Sequence, residues 1–456
     1  MLLSNFKKMI GLVTIAVASS SQEPAARSMI NSDGNMVSKL VYVGNDYNAE
    51  LYLGTERTEA SKGLFTIDTG SASFIVNGNG CQEEPCVGPK SDPLKQFKTP
   101  PPSEIVYPKL NIEYGDGTGY YFNVYQGPVT IPSGQTVKKA NIAYNYALRG
   151  DRTDNFNTQG QGIIGLSVPC LSEPTDADTL TESIEADGLG VNSFTTCLNK
   201  NEGSVMAWGN ELPVGMATAD VDFRCAFYSL TYDSFVLKDK DGNIYDTLPA
   251  APLKLAPNNF ANTCGNNEAT ASCASAPFID TGTSFWYLSP ENYEGLMELM
   301  IQFYTIAGKK DASVNLNAEL ISILTGFKND TIDPKRLTEP QKVVMDKTVG
   351  DFPMTINVVF KGQGEPKLEA NVTRGLLENI IKSKEESDLG QYIINGNIFH
   401  FDKENAKLGI EKIGSDGCDK PYFKTISDDP SNAISVSMTS SALWVGIISA
   451  VVAAIF

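Results

Sequence analysis

Leu64-Phe65-Thr66-Ile67-Asp68-Thr69-Gly70-Ser71 recurs 212 residues later as Ala276-Pro277-Phe278-Ile279-Asp280-Thr281-Gly282-Thr283. A lone Asp-Thr-Gly arises by chance in roughly one protein of ten at average composition. Here there are two copies, each after an apolar strand-like run and each followed by a hydroxyl residue. The residue types have a joint chemical reason. A strand delivers Asp to the end of a sheet, Gly lets the backbone turn sharply with its amide near the carboxylate, and the Thr hydroxyl can lock one loop against its twin. If the loops meet, Asp68 and Asp280 come within hydrogen-bond reach across a shared water. Two carboxylates that close hold one proton between them. The ionised one then takes a proton from water as it attacks a peptide carbonyl, and the protonated one donates to the carbonyl oxygen and later to the leaving amine. Such chemistry needs no metal, cofactor, covalent intermediate or histidine.

Composition points the same way. The chain has 456 residues, 41% of them hydrophobic, with 36 Lys+Arg against 54 Asp+Glu for a formal charge of −18. That size and apolar fraction predict a globular protein with two substantial cores. The acidic balance repels phosphate backbones and argues against a nucleic-acid partner. With one histidine, any Ser-His-Asp triad, Cys-His dyad or multi-histidine metal site would have to run through His400.

Between residues 40 and 425 the texture is mostly β: short runs such as Gly63–Asp68, Asn111–Tyr114, Val205–Trp208, Ala276–Asp280 and Met354–Phe360, punctuated by Gly, Pro, Asn and Asp. One helix is predicted at Pro290–Thr305, where Tyr293, Leu296, Met297, Met300, Ile301 and Tyr304 fall at helical spacing and read as core packing. Residues 307–350, more polar and charged, read as an insertion or long surface excursion. Gly160-Gln161-Gly162-Ile163-Ile164-Gly165 matches a dinucleotide fingerprint but follows a polar loop and precedes Pro169, so that reading is rejected. Asp239-Lys240-Asp241-Gly242 is better read as a hairpin turn than as a calcium loop.

Over roughly residues 41–415 the sequence resembles the pepsin-like aspartic endopeptidases. The resemblance implies a bilobal acid-protease fold: two pseudo-twofold-related β lobes, 41–215 and 216–425, around a central cleft. It makes Asp68 and Asp280 the catalytic pair, with Thr69, Ser71 and Thr281 structural at the site. It also makes Asn111 to Gly119 the flap hairpin, with Tyr114 the flap tyrosine. Gly70, Gly115, Asp116, Gly117, Gly282 and Thr283 join Tyr114 as substrate-binding positions. Gly162-Ile163-Ile164-Gly165-Leu166 and Leu389-Gly390 are similar to the apolar strands threaded beside each catalytic loop, and Phe401-Asp402 with Lys407-Leu408-Gly409-Ile410 to the closing segment. The chain departs from the family pattern at Ile75, where many relatives have Trp, at Glu386-Ser387-Asp388, where apolar residues are usual, and at Gln391, where Asp is common.

The ends suggest export. Lys7 and Lys8 precede the apolar run Met9 to Ala18, and Ala16-Val17-Ala18 fits signal peptidase, so 1–18 read as a signal peptide and 19–40 as a short propeptide or extension. In 426–456, small residues at Ser431-Asn432-Ala433, the polar spacer Ile434 to Ser441 and the apolar tail Ala442 to Phe456 form the pattern of a GPI-attachment signal, a retained tail anchor being the alternative. Eight cysteines then pair in an oxidising compartment. Cys81 and Cys86 close a small loop, which the resemblance also supplies, and Cys264 with Cys273 is the next neighbour pair. The connectivity of Cys170, Cys197, Cys225 and Cys418 stays open. Sequons stand at Asn329 and Asn371.

The expectation is thus a monomeric, secreted and GPI-anchored aspartic endopeptidase that takes an extended peptide in the interlobe cleft. Two alternatives share the fold: a cell-surface peptide-binding protein that has lost turnover, and a soluble vacuolar or lysosomal protease.

Overall fold

The computed structural model describes residues 36–423 except 44–45, 83–85, 87–94, 115–118, 150–160, 173, 175–176, 201–202, 223–226, 252–275, 311–313, 384–387 and 421–422. The signal-peptide and GPI expectations, and the Cys264–Cys273 pair, lie outside the described residues. Among the described residues no helix is long and apolar enough to cross a membrane.

Strands dominate, as the β texture predicts. The largest sheet has fourteen strands. Near its middle Met36–Val43 pairs through its first half with Val205–Trp208 and through its second half with Asp46–Leu53. On the first side, Ser193–Leu198, Asn397–Asp402, Lys407–Lys412 and Ala217–Asp220 follow in an antiparallel run, so strands from distant parts of the chain interleave. The disulfide Cys197–Cys418 spans 221 residues and ties this region together, settling one connectivity that spacing left open. Cys81–Cys86 closes its small loop as expected.

The second side carries Lys62–Asp68, in which Phe65 and Ile67 are fully buried while Leu64 and Thr66 are half-buried. Burying a side chain of that size contributes about 2 kcal/mol. Phe65 also packs edge-on to Phe74 at 5.2 Å and stacks with Phe97 at 5.7 Å. Gly162–Gly165, the rejected dinucleotide match, is a strand here. It runs parallel to Lys62–Asp68 and antiparallel to Phe74–Val76, which in turn runs parallel to Thr136–Arg149.

The same four-strand pattern occurs a second time. Phe278–Ile279 runs parallel to Asp388–Leu389, which is antiparallel to Trp286–Leu288, which is parallel to Ile380–Lys382. Both motifs therefore thread a distant strand between the two arms of an Asp-Thr-Gly turn. A third sheet, Ile244–Pro249, Tyr232–Asp239, Met354–Phe360 and Lys367–Asn371, is wholly antiparallel. Its first connection is the expected hairpin: Asp239 Oδ1 accepts the amides of Asp241 and Asn243, and Gly242 takes φ +81°.

The predicted helix extends over Pro290–Lys310 and buries Tyr293, Leu296, Met297, Met300 and Tyr304. The reading of 307–350 as a surface excursion needs correction. Two further helices, Val314–Lys328 and Glu339–Asp351, bury Leu320, Ile323, Leu324 and Phe327 from one and Val344, Met345 and Val349 from the other. Their apolar residues are spaced at three and four among polar ones, and a Thr338/Gln341 capping box opens the second. Lys328 binds Glu298 of the first helix at 2.5 Å.

His400 lies inside the large sheet, fully buried, opposite Thr195 and Gly409. Its Nδ1 shares a 2.7 Å hydrogen bond with Thr195 Oγ1, which also accepts from Asn210. Burial lowers its pKa from 6.5 to about 4, against the opposing charge of Asp402. A lowered folded pKa means that stability is intact above 6.5 and is lost as pH falls toward 4, by about 3 kcal/mol in total. Urea midpoints measured at pH 7 and pH 4 are expected to differ less in His400→Gln than in wild type. An equal drop in both would contradict this.

Candidate active site

The two Asp-Thr-Gly turns meet. Thr69 N donates to Thr281 Oγ1 and Thr281 N to Thr69 Oγ1, both at 3.1 Å. Each hydroxyl then donates across to the partner strand, Thr69 Oγ1 to Ile279 O and Thr281 Oγ1 to Ile67 O, both at 2.7 Å. Both threonines are fully buried, so none of these groups has water as an alternative partner. The exchange is reciprocal, and it holds two strand ends 212 residues apart in one geometry.

The glycines set the distance between carboxyls. A Cβ on Gly70 would come within 2.9 Å of the Asp280 carboxyl, and one on Gly282 within 2.5 Å of Asp68 Oδ1. Neither position has positive φ; the requirement is for space, not for an unusual backbone. Each glycine amide donates to its own loop's aspartate, Gly70 to Asp68 Oδ1 at 2.9 Å and Gly282 to Asp280 Oδ1 at 2.8 Å. The two carboxyls also hydrogen-bond to each other.

The pair is electrostatically unequal. Burial raises the pKa of Asp68, but the Ser71 hydroxyl, 2.5 Å from Oδ2, and the Gly70 amide stabilise its charge. Asp280 is pushed well above the usual carboxylate range, by burial first and then by the charges of Asp68 and Asp388. Two such carboxyls hold one proton between them, and the Ser71 hydroxyl, which has no counterpart bonded to Asp280 among the described residues, favours Asp68 as the charged partner. Asp68 is 6% exposed, whereas Asp280 and the Thr283 beside it are partly open to solvent and Gly282 is exposed.

Tyr114 follows directly on the strand Ile105–Glu113 and packs edge-on to Tyr120 at 6.0 Å. It joins an apolar cluster that includes Leu110, Ile112, Phe122 and the fully buried Ile75. Gly115, Asp116 and Gly117 lie outside the described residues. The sequons Asn329 and Asn371 are exposed and far in sequence from both turns.

Some neighbours of the turns were not assigned from sequence. Gln391, fully buried, donates from Nε2 to Thr281 O at 2.6 Å and props the second turn from below. The Lys335 ammonium, from the short turn between the two added helices, lies 3.9 Å over the Phe285 ring. Asp388 stands next to the strand of Asp280. Its only sequence signal was a carboxylate in a stretch where apolar residues are usual. No protein-family model matches the chain, and no curated protein matches it.

Proposed function

We propose that this chain is an aspartic endopeptidase of bilobal, pepsin-like architecture, exported and held at the cell surface, which hydrolyses peptide bonds in acid. One observation carries the reading: two Asp-Thr-Gly turns bonded reciprocally so that the Asp68 and Asp280 carboxyls face each other. On this reading Asp68 takes a proton from the water that attacks the scissile carbonyl. Asp280 donates toward the carbonyl oxygen; as the C–N bond breaks, the proton taken by Asp68 passes to the leaving amine and the collapsing gem-diol returns one to Asp280. Bonds from the Gly70 and Gly282 amides keep both carboxyls oriented throughout, which is the contribution of preorganisation. An extended peptide would lie across the turns under Tyr114, held by main-chain hydrogen bonds with its side chains alternating between opposite walls.

The proton assignment sets the pH dependence. Activity needs Asp68 ionised and Asp280 protonated, so it falls below the first pKa and above the second. The protein purified from a eukaryotic secretory host is expected to cleave unfolded protein with an optimum between about pH 3 and 6 and to be blocked by pepstatin. Binding of peptide without any product across that range would favour the surface-binding alternative instead.

A further inference from the structure

The strand pair that carries Asp280 has two unlike faces. Ile279 and Leu389 are fully buried on one. Strand alternation puts Phe278, Asp280 and Asp388 on the other. Phe278 and Asp388 are direct register partners and both are half-buried, and the Asp280 amide donates to Leu389 O at 3.1 Å. The charge of Asp388 also raises the pKa of the Asp280 carboxyl. The Phe227 ring stacks on Phe278 with centroids 4.3 Å apart and an interplanar angle of 11°. A carboxylate and a pair of aromatic rings thus form a wall beside the candidate reacting groups.

We propose that Asp388, with Phe278 and Phe227, forms a subsite for a lysine or arginine side chain adjacent to the scissile bond. This rests on the function proposed above and names its substrate class. Ammonium and guanidinium groups suit such a wall twice over, through the charge-assisted bond to the carboxylate and through attraction to an aromatic face. The same wall discriminates against an apolar side chain, which would further desolvate the carboxylate without supplying a charge-assisted bond. The formal charge of −18 adds long-range attraction for basic segments.

The test is a set of peptides identical except for Lys, Arg, Met or Glu at each residue flanking the cleaved bond. A matching set carries a non-cleavable reduced bond. The purified protein is compared with Asp388→Asn and Asp388→Glu. On one side of the bond, wild type is expected to favour Lys and Arg over Met by tenfold or more in kcat/KM and in affinity for the reduced peptides. Asp388→Asn should collapse that ratio to within about threefold, and Asp388→Glu should keep most of it. No basic preference in wild type, or the same preference in Asp388→Asn, overturns the subsite. Absence of any cleavage while the reduced peptides still show the Asp388-dependent preference overturns the protease reading and leaves the subsite standing.

Discussion

Replacing Asp280 or Asp68 by Asn is expected to lower kcat by on the order of 10^3 to 10^4, with KM for a good peptide changed only a few-fold. The two substitutions fail for different reasons. Asn at 280 still offers an N–H to a carbonyl oxygen but cannot transfer a proton to it. Asn at 68 can accept the Gly70 amide as Asp68 does, but its side chain cannot take a proton from water. Ser71, which now donates to Oδ2, would rotate to accept instead, so the turn can survive the change. Stability should move the opposite way to activity. Both carboxyls have folded pKa values raised above their unfolded ones, so they favour the fold at low pH and disfavour it increasingly as pH rises through the raised values. Each Asn variant should therefore melt higher than wild type at pH 7, and the gain should shrink toward pH 3. Residual turnover within tenfold of wild type would remove Asp68 and Asp280 from the chemistry. Loss of turnover accompanied by a lower melting temperature at pH 7 would point to damage to the fold.

The Asp-Thr-Gly turns were legible in sequence because their determinants are local: the strand before, the glycine after and the hydroxyl beside it all lie within eight residues. That a Thr hydroxyl locks one turn against the other also follows once both copies are seen, but its partners, the opposite Thr amide and the Ile279 or Ile67 carbonyl, come from the structure. The mostly β character was legible for a similar reason, since alternation and turn residues act over short spans. The helix at Pro290 declared itself through a dense apolar row. Val314–Lys328 and Glu339–Asp351 did not, because Ser322, Thr325 and Gly326 interrupt the apolar row of the first and Asp346, Lys347 and Thr348 that of the second, within a stretch rich in Lys, Asp and Asn. Cys197–Cys418 was beyond reach for another reason: pairing across 221 residues is decided by which strands become neighbours, and no spacing rule encodes that. The same holds for the threading of Asp388–Leu389 beside Phe278. The sequence marked Asp388 as unusual, but only the register with Phe278 shows which face its carboxylate shares.

Thr281→Val is expected to be among the most destabilising single isosteric changes in the protein. Valine keeps the shape but removes Oγ1, leaving the Thr69 N–H and the Ile67 carbonyl buried without partners. Each such group costs about 1 to 3 kcal/mol, so the sum is roughly 2 to 6 kcal/mol. Thr69→Val strips a different pair, the Thr281 N–H and the Ile279 carbonyl. Because the two sets share no donor or acceptor, a double-mutant cycle separates two physical pictures. If the turns stay in place, the losses add. If the first substitution already lets the turns part, the second costs much less, and the shortfall measures how far each hydroxyl depends on the other to hold the carboxyls together. The reciprocal geometry favours the second outcome, with the double variant losing clearly less than the sum. Activity should then follow the same pattern, since separated turns no longer share a proton, while Thr281→Ser, which retains the hydroxyl, should stay near wild type in both. Strict additivity, with turnover retained in either valine variant, would mean that the exchange between Thr69 and Thr281 supports the fold without setting the distance between Asp68 and Asp280.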